Sequence, residues 1–325
     1  MRIARALAWG LTGYFALVAG GVLHAQSYPA KPIKVIVPFA PGTGPEQAVR
    51  HMQERFIKAI GQPLVIENKG GAGGNIGTDA LAKSAPDGYT IGLIAINMLV
   101  INPHLYKDMP YDPIRDFEPI MHLTSTNHVL AVHASVPASN LKEFVAWVKT
   151  NPGKVNISTN GAGTTPHLLG VLLNQNTGID LLPVHYKGGG EAVKDLVGGH
   201  VQAMFGSPFQ VHAFVQAGRV KVLGTTRAKR IDLFPDMPTF AELGYPGMTA
   251  DAWTAYMAPA KTPGEIIQRL YAEFNRIITT PEVVTSFEKE AYTLIGSTPA
   301  ATAQMIRTEL KRWESVVKAS GWKLQ

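Results

Sequence analysis

Residues 33–44 read IKVIVPFAPGTG, in which a β-type apolar run ends at a short glycine-rich turn and a helical pattern begins directly afterwards. The same arrangement recurs at residues 70–75, GGAGGN, and at residues 160–165, NGAGTT. A helix that starts at such a turn directs its unpaired N–H groups, at the positive end of the helix dipole, toward whatever occupies the turn. Several such turns in one cleft predict a receptor for a small anion.

Strand-like and helical segments alternate outward from this first turn. The alternation runs from residue 33 to residue 94, restarts at Val129 and reaches residue 224, and helical patterns that begin at Pro263 and Pro299 complete the chain. This order predicts an α/β protein built of βαβ units, with a mainly parallel sheet. Two α/β series followed by returning helices predict two lobes joined by two crossings, near residues 123–127 and 250–253.

The first 25 residues differ from the rest of the chain. Arg2 and Arg5 precede an apolar run, and the pattern predicts a secretory signal peptide cleaved near Ala25, with a retained membrane anchor as the alternative. The 325 residues contain no cysteine, which excludes disulfides, thiolate metal sites and a lipid-modified cysteine. An exported protein without a lipid anchor is expected in the periplasm. The remaining residues are assigned to lobe 1 (26–125 and 251–325) and lobe 2 (126–250).

Motifs for catalysis and for cofactors are missing from the sequence. No glycine turn completes G-x-G-x-x-G, because Ile76 stands where the second turn would need its third glycine. The sequence has no P-loop, no H-E-x-x-H and no G-x-S-x-G, and His128 and His133 fall on opposite faces of a strand-like stretch. We therefore predict no catalytic residue, no cofactor and no metal site. The net charge of +6 is spread without a Lys/Arg-rich run, so no nucleic-acid partner is predicted.

The glycine turns combine close backbone approach with small hydroxyl and amide side chains. Thr43, Asn75 and Thr164 are examples, and hydroxyl and amide groups donate hydrogen bonds without adding charge. That chemistry suits a carboxylate, with apolar contact from Phe39 and Phe205. The alternative is that these are ordinary tight turns whose threonine and asparagine side chains cap the helices.

Several longer motifs resemble one family. They are VPF at 37–39, ENKGGAGGNIG at 67–77, APDGYT at 85–90, NPHLY at 102–106, PDMPT at 235–239 and APAKTP at 258–263. Together they resemble the Bug family, the periplasmic solute-binding proteins of tripartite tricarboxylate transporters. The resemblance implies a type II periplasmic-binding-protein fold, in which two lobes close over a carboxylate like a Venus flytrap.

In this family one carboxylate is typically held by the turn after the first strand. Carried onto this chain, the turn at residues 39–44 faces Asn75 and the turn at residues 158–165. His167 matches a family histidine, either as a ligand contact or as a polar core residue. Where many relatives have Phe-Asp, this chain has Phe205-Gly206, and the missing carboxylate makes an amino-acid ligand less favoured than a di-, tri- or aromatic carboxylate.

The sequence therefore predicts a monomeric, exported receptor that passes a carboxylate to a membrane permease. A ligand sensor for a membrane kinase is one alternative, and a periplasmic enzyme on the same fold is another. The candidate ligand-binding residues are Phe39, Thr43, Gly44, Gly74, Asn75, Ser125, Ser158, Asn160, Gly163, Thr164, Thr165, His167, Phe205, Gly206 and Ser207.

Overall fold

The computed structural model describes residues 28–186, 188–289 and 292–320, and the helices and strands below belong to residues 31–320. The predicted signal peptide lies outside the described residues. The strands are β1 (Ile33–Val37), β2 (Leu64–Asn68), β3 (Thr90–Ala95), β4 (Phe117–Thr126), β5 (Val129–His133), β6 (Asn156–Thr159), β7 (Leu182–His185), β8 (Ala203–Gly206), β9 (Val220–Thr225), β10 (Ala252–Pro259) and β11 (Thr293–Ser297). The α-helices are α1 (Gly44–Ile60), α2 (Asn75–Ala82), α3 (Asn102–Leu105), α4 (Leu141–Lys149), α5 (Thr165–Thr177), α6 (Gly189–Val197), α7 (Pro208–Gln216), α8 (Gly264–Ile278), α9 (Pro281–Lys289) and α10 (Pro299–Ser320).

The strands form two sheets, and the first, read from its β2 edge, has the strand order of the second with β11 as an additional edge strand. The first sheet runs β11-β4-β10-β3-β1-β2, and the second runs β7-β6-β8-β5-β9. In each sheet three neighbouring strands are parallel, namely β3, β1 and β2 in the first and β7, β6 and β8 in the second. The carboxyl ends of each parallel trio therefore meet at one edge of their sheet, which is where ligands bind in open α/β sheets.

The prediction of a mainly parallel sheet is wrong, because in each sheet one strand is inserted antiparallel beside the parallel trio. Strand β10 pairs antiparallel with β3 and β4, and β5 pairs antiparallel with β8 and β9. Strand β11 adds a further antiparallel ladder to β4. Each inserted strand enters immediately after the chain has crossed between sheets, so it runs against the parallel trio.

The two crossings are joined by hydrogen bonds. The first is shorter than predicted, because β4 continues to Thr126 and only Asn127 and His128 lie between β4 and β5. The His128 N–H donates to Thr226 Oγ1 at 3.0 Å, and the Thr226 N–H donates to the His128 carbonyl at 2.9 Å. Residues 226–251 form the return crossing. These bonds fasten the two connections between the sheets side by side.

The core is continuous between the two halves. Tyr256 stacks on Phe274 with ring centroids 4.2 Å apart, which packs β10 against α8. One cluster of buried apolar side chains includes Ile36 of β1, Leu130 of β5 and Trp313 of α10, and therefore reaches both sheets. Such burial contributes about 1.5–3 kcal/mol per large side chain. Within the described ranges, no helix is both long and apolar enough to cross a membrane.

Candidate functional site

The first glycine turn connects β1 to α1 and leaves the start of the helix without a side-chain cap. Thr43 is the N-cap residue, but its hydroxyl donates to the Ala40 carbonyl at 2.9 Å and caps no helical N–H. The Gly42 N–H donates to Glu46 Oε2 at 2.7 Å. Among the described residues, the N–H groups of Gly44 and Glu46 have no protein acceptor. They are the donors that an anion at this turn could use.

Glu46 supplies a fixed negative charge beneath the first turn. The residue is 2% exposed, and the hydrogen bond from the Gly42 N–H, assisted by Arg50, holds its pKa below the usual range of a glutamate. Arg50 Nε donates to Glu46 Oε1 at 2.5 Å. Arg50 is therefore committed to Glu46, four residues before it on the same helix.

The second glycine turn packs against the first, but the side chain of Asn75 is used by the fold. Asn68 Nδ2 donates to the Phe39 carbonyl at 3.1 Å, which links the two turns. The Asn75 oxygen accepts hydrogen bonds from Asn102 Nδ2 at 2.7 Å and from the Tyr111 hydroxyl at 2.9 Å, and Asn75 is 4% exposed. This corrects the expectation that the Asn75 amide lies open to a ligand, because its oxygen already accepts from two protein donors and its Nδ2 donates to Met109 Sδ at 3.7 Å.

Gly74 precedes α2 in the left-handed backbone region, with a φ of 93°. The positive φ strains any residue with a β-carbon at this position, and that β-carbon would also overlap the Met98 side chain. The role of Gly74 in this structure is thus to let the π-helical segment Asn97–Ile101 approach the turn.

The third glycine turn connects β6 to α5 and repeats the arrangement of the first. Thr164 is the N-cap residue, and its hydroxyl donates to the Gly161 carbonyl at 2.7 Å instead of capping the helix. The Gly163 N–H donates to His167 Nδ1 at 3.2 Å. Thr165 is buried, and its N–H has no protein acceptor among the described residues. Residues 42–46 and 163–167, which we call the twin turns, share the sequence Gly-Thr-x-Pro followed by an acceptor.

Two other candidates in the third turn, Ser158 and Asn160, differ in whether their side chains are hydrogen-bonded within the protein. Ser158 is fully buried, and its hydroxyl donates to the Ala192 carbonyl at 3.4 Å. Asn160 Oδ1 is buried and has no hydrogen-bond partner in the described parts of the chain. A buried acceptor without a partner requires a donor from a water or from a ligand hydroxyl, which makes Asn160 the strongest side-chain candidate in this turn for a ligand group other than a carboxylate.

Neighbouring helices begin beside the third turn. A β-carbon at Gly189, the first residue of α6, would overlap Gln210 Nε2 and would lie 3.5 Å from Asn160 Nδ2. Gln210 also completes the capping box of Ser207 at the start of α7. Asn160 and Gln210, a residue that the sequence analysis missed, therefore both lie beside Gly189, and Gln210 links this position to Ser207.

Phe205 does not line an open site in this structure. Its side chain has no exposed surface, and its ring packs against Phe240 with centroids 5.9 Å apart. Gly206 pairs with Val129 at the end of β8. The expected contact between Phe205 and the ligand is therefore corrected to a core role, whereas Phe39 is partly exposed at the first turn.

One further candidate, Ser125, lies at the crossing between the sheets. Ser125 is near the end of β4, where its hydroxyl donates to Asp251 Oδ2 at 3.0 Å. Burial raises the pKa of the Asp251 carboxyl. This pair lies beside the connections between the sheets, so its contacts are those of a crossing residue.

His167 is held as a neutral ring. Burial, with a smaller contribution from His185, lowers the pKa of His167 to about 4. The two imidazole rings meet edge to face with centroids 4.8 Å apart, and His185 Nδ1 lies 2.7 Å from the Thr159 hydroxyl. Because the Gly163 N–H is directed at His167 Nδ1, that nitrogen is the acceptor of the ring.

Tyr292 is a residue near the first turn that sequence reasoning missed. Its hydroxyl occupies the space where a β-carbon of Gly44 would stand. The two residues are 248 positions apart in the chain, so no local pattern could have connected them.

One cavity is not lined by the glycine turns. It has a volume of about 800 Å³ and lies between α1, α7 and α9. Its lining residues are His51, Phe209, Pro281, Glu282, Thr285, Ser286 and Lys289. None of them is a predicted site residue, and the unpaired N–H donors lie at the turns instead. In the described residues, no cluster of histidine and acidic side chains is suited to hold a metal ion.

The two sheets, their common strand order and the helices around them define a two-lobed periplasmic binding protein of the α/β class. The comparisons with known proteins agree, since a model described as "Tripartite tricarboxylate transporter family receptor" matches residues 48–322. The chain therefore belongs to the tripartite tricarboxylate transporter receptor family, and the resemblance to Bug proteins is confirmed. It is a periplasmic solute-binding protein, as predicted, and its family is not one of enzymes.

Individual relatives cover nearly the whole chain. BugT of Bordetella pertussis is 36% identical over 328 residues, which span 100% of both chains. The structure of Rpa4515 of R. palustris with adipate has a TM-score of 0.83 at 28% identity, and covers 90% of this chain and 98% of that one. MatC of Rhodopseudomonas palustris with bound malate has a TM-score of 0.81 at 30% identity, and covers 89% of this chain and 100% of that one.

Proposed function

We propose that this protein captures a small carboxylate that lacks an ammonium group and delivers it to the membrane permease of a tripartite tricarboxylate transporter. The observation that carries the proposal is the pair of twin turns, one in each sheet's parallel trio. Both helices begin with unpaired N–H groups and with an N-cap threonine whose hydroxyl is directed away from the helix. Two such helix starts that meet across a cleft would hold one carboxylate each.

The strength of such a site is sufficient for a receptor. A hydrogen bond to a charged group contributes about 1.5–3 kcal/mol, and micromolar affinity requires about 8 kcal/mol. Three or four N–H donors, reduced by the cost of ordering the ligand and closing the lobes, reach that range. Closure follows because a closed form that completes the donor shell binds the ligand more tightly than the open form does.

A dicarboxylate fits this arrangement better than an aromatic acid. Phe205 is buried in the core, so the aromatic surface expected there is absent from this structure. The residues after β8 are Gly206 and Ser207, which carry no charge to answer an ammonium group. Structural neighbours contain adipate and malate, both dicarboxylates.

The ligand class is tested by thermal-shift measurements on the mature protein with malate, adipate, citrate, benzoate and aspartate. Malate and aspartate form the decisive pair, because aspartate carries an ammonium group where malate carries a hydroxyl. We expect malate or adipate to stabilise the protein by about 2.7 kcal/mol at 100 times its Kd, and aspartate to have no effect. If no carboxylate shifts the melting transition, the proposed function is wrong.

The location of the site is tested by two threonine variants, with one asparagine variant as the control. Thr43→Ala and Thr164→Ala remove the hydroxyls that close the twin turns, and we expect each to weaken binding in calorimetry. Asn140→Ala is the matched control, because Asn140 caps α4 through the Glu143 N–H. Strand β5, which precedes α4, runs antiparallel to β8, so α4 begins at the opposite edge of the sheet from the third turn. The Asn140→Ala variant should therefore bind the ligand with wild-type affinity.

Delivery to a permease is distinguished from sensing in cells. We propose that residues 1–25 export the chain as a signal peptide and that the receptor acts as a monomer. Deletion of the receptor should abolish uptake of the ligand found in the screen. Unchanged uptake together with lost induction of gene expression by that ligand would instead favour the sensor of a membrane kinase.

A further inference from the structure

The twin turns contain equivalent hydrogen bonds, with a backbone donor at the same position and different side-chain acceptors. In each, the N–H of a glycine donates to the side chain four residues later, at the third position of the helix. The Gly42 N–H is held by Glu46 Oε2 at 2.7 Å, and the Gly163 N–H is held by His167 Nδ1 at 3.2 Å. A proline stands directly before the acceptor in both turns.

This bond fixes the backbone from which the anion donors project. Gly42 and Gly163 have φ values of 82° and 76°, which lie in the left-handed region that only glycine adopts without strain. Such a residue is flexible unless something holds it. The acceptor at the third helical position ties the glycine to the first helical turn, and the N-cap threonine between them is fixed as a consequence.

We propose that His167 is a positioning residue of the ligand site, whose Nδ1 holds Gly163 and thereby sets the direction of the N–H groups at the start of α5. The effect on binding rests on the proposed function, whereas the effect on the turn does not. His167 is 3% exposed, and its Nδ1 is directed at a backbone amide of its own turn. The ring thus acts on the ligand through the backbone.

The difference between the two acceptors follows from the residues that come next. Arg50 follows Glu46 by four positions and pairs with it, so the first turn can bury a charged acceptor. The residue four positions after His167 is Val171, which offers no cation. A carboxylate at position 167 would be buried without that partner and would repel an anionic ligand. A neutral imidazole nitrogen supplies the acceptor without the charge.

The proposal is tested with two substitutions at one position. His167→Asn keeps an acceptor oxygen near the place of Nδ1, and His167→Leu fills the space without one. In the ligand-free protein we expect His167→Leu to speed hydrogen exchange of the Gly163 amide at least tenfold, and His167→Asn to leave it within threefold of wild type. With the better of malate and adipate as the probe, Kd should rise at least tenfold in the Leu variant and less than threefold in the Asn variant.

Other outcomes would reject either the positioning role of His167 or the hydrogen bond on which it depends. If both variants weaken binding equally while Gly163 stays protected, the ring contacts the ligand directly and the positioning role is wrong. If the Leu variant leaves exchange and Kd unchanged, His167 is a core residue only. If the Leu variant does not fold, the scalar coupling across the N–H···N bond between Gly163 and His167 in the wild type decides, and its absence rejects the bond. If neither dicarboxylate binds the wild type, the proposed function fails while the exchange result still decides the role of His167 in the turn.

Discussion

The hydroxyl of Tyr292 fills the space that a side chain at Gly44 would need, so residues from opposite ends of the chain meet at the start of α1. The Tyr292 ring packs against Phe287 with centroids 6.3 Å apart, which limits how far the hydroxyl can move. The glycine at position 44 is therefore required by a close approach and not by its backbone angle.

We expect Gly44→Ala to destabilise the protein by about 1–3 kcal/mol, because the added methyl group overpacks a filled site. Gly264→Ala is the matched control, since Gly264 is also the first residue of a helix and a β-carbon there would meet nothing within 4 Å. That substitution should be neutral or stabilise by up to about 1 kcal/mol. Urea denaturation measures both.

Tyr292→Phe should restore part of the lost stability in the Gly44→Ala background, because it removes the overlapping oxygen. A double-mutant cycle gives the coupling directly. Additive effects of the two substitutions would show that the hydroxyl and the glycine do not compete for the same space.

We expect the Asn75 side chain to contribute more to the stability of the fold than to ligand affinity. Replacing it with alanine removes an acceptor shared by Asn102 Nδ2 and the Tyr111 hydroxyl, which keep the Gly73 and Met98 carbonyls as their other acceptors. The expected cost is about 0.5–1.5 kcal/mol in urea denaturation. Asn176→Ala, at an exposed residue of α5, should stay within about 0.5 kcal/mol. An Asn75→Ala protein with wild-type stability and weakened binding would return Asn75 to the list of direct ligand contacts.

The sequence predicted the elements that depend on local pattern and missed those that depend on distant partners. The first strand, Ile33–Val37, was predicted as the apolar run that opens residues 33–44, because that run ends at a clear turn signal. Strand β4 was missed, since Glu118, Pro119 and His122 interrupt any alternation. It forms because β10, more than 125 residues later, supplies the antiparallel partner.

The candidate site shows the same division. Glycine turns can be identified from sequence because their backbone needs particular residues, and all three lie where strands of the parallel trios end. Which side chains remain open to a ligand depends on long-range contacts. The Tyr111 hydroxyl donates to the Asn75 oxygen, and the Phe240 ring packs against Phe205. Neither contact can be predicted from the sequence near the turns.

Glu46 and Arg50 should contribute unequally although they form one pair. Glu46→Ala removes the buried acceptor of the Gly42 N–H and is expected to cost about 1–3 kcal/mol. Arg50 is more than half exposed, so Arg50→Ala should cost less than about 1 kcal/mol, and its effect should shrink further at 1 M salt. Chemical denaturation of both variants at low and high salt makes the comparison. Equal losses would mean that the ion pair, and not the bond to the turn, stabilises α1.

Acidification should destabilise the protein through its buried histidines. Burial lowers the pKa of His128, at the first crossing, to about 4, and the unfolded chain titrates near 6.5. Between these values the unfolded state binds a proton that the folded state does not, so stability falls as the pH falls from about 6.5 toward 4. For one such histidine the loss between pH 7.5 and pH 5 is about 2 kcal/mol.

His128→Leu isolates this contribution, because the backbone N–H and carbonyl of residue 128 keep their bonds to Thr226 whichever side chain is present. We expect the variant to lose about 2 kcal/mol less than the wild type between pH 7.5 and pH 5 in urea denaturation. At pH 8 the histidine is neutral in both states, so the difference measured there records only the change of packing and serves as the reference. Parallel losses in the two proteins would show that His128 is not protonated on unfolding, and would assign the acid sensitivity to other groups such as His122, whose pKa burial also lowers to about 4.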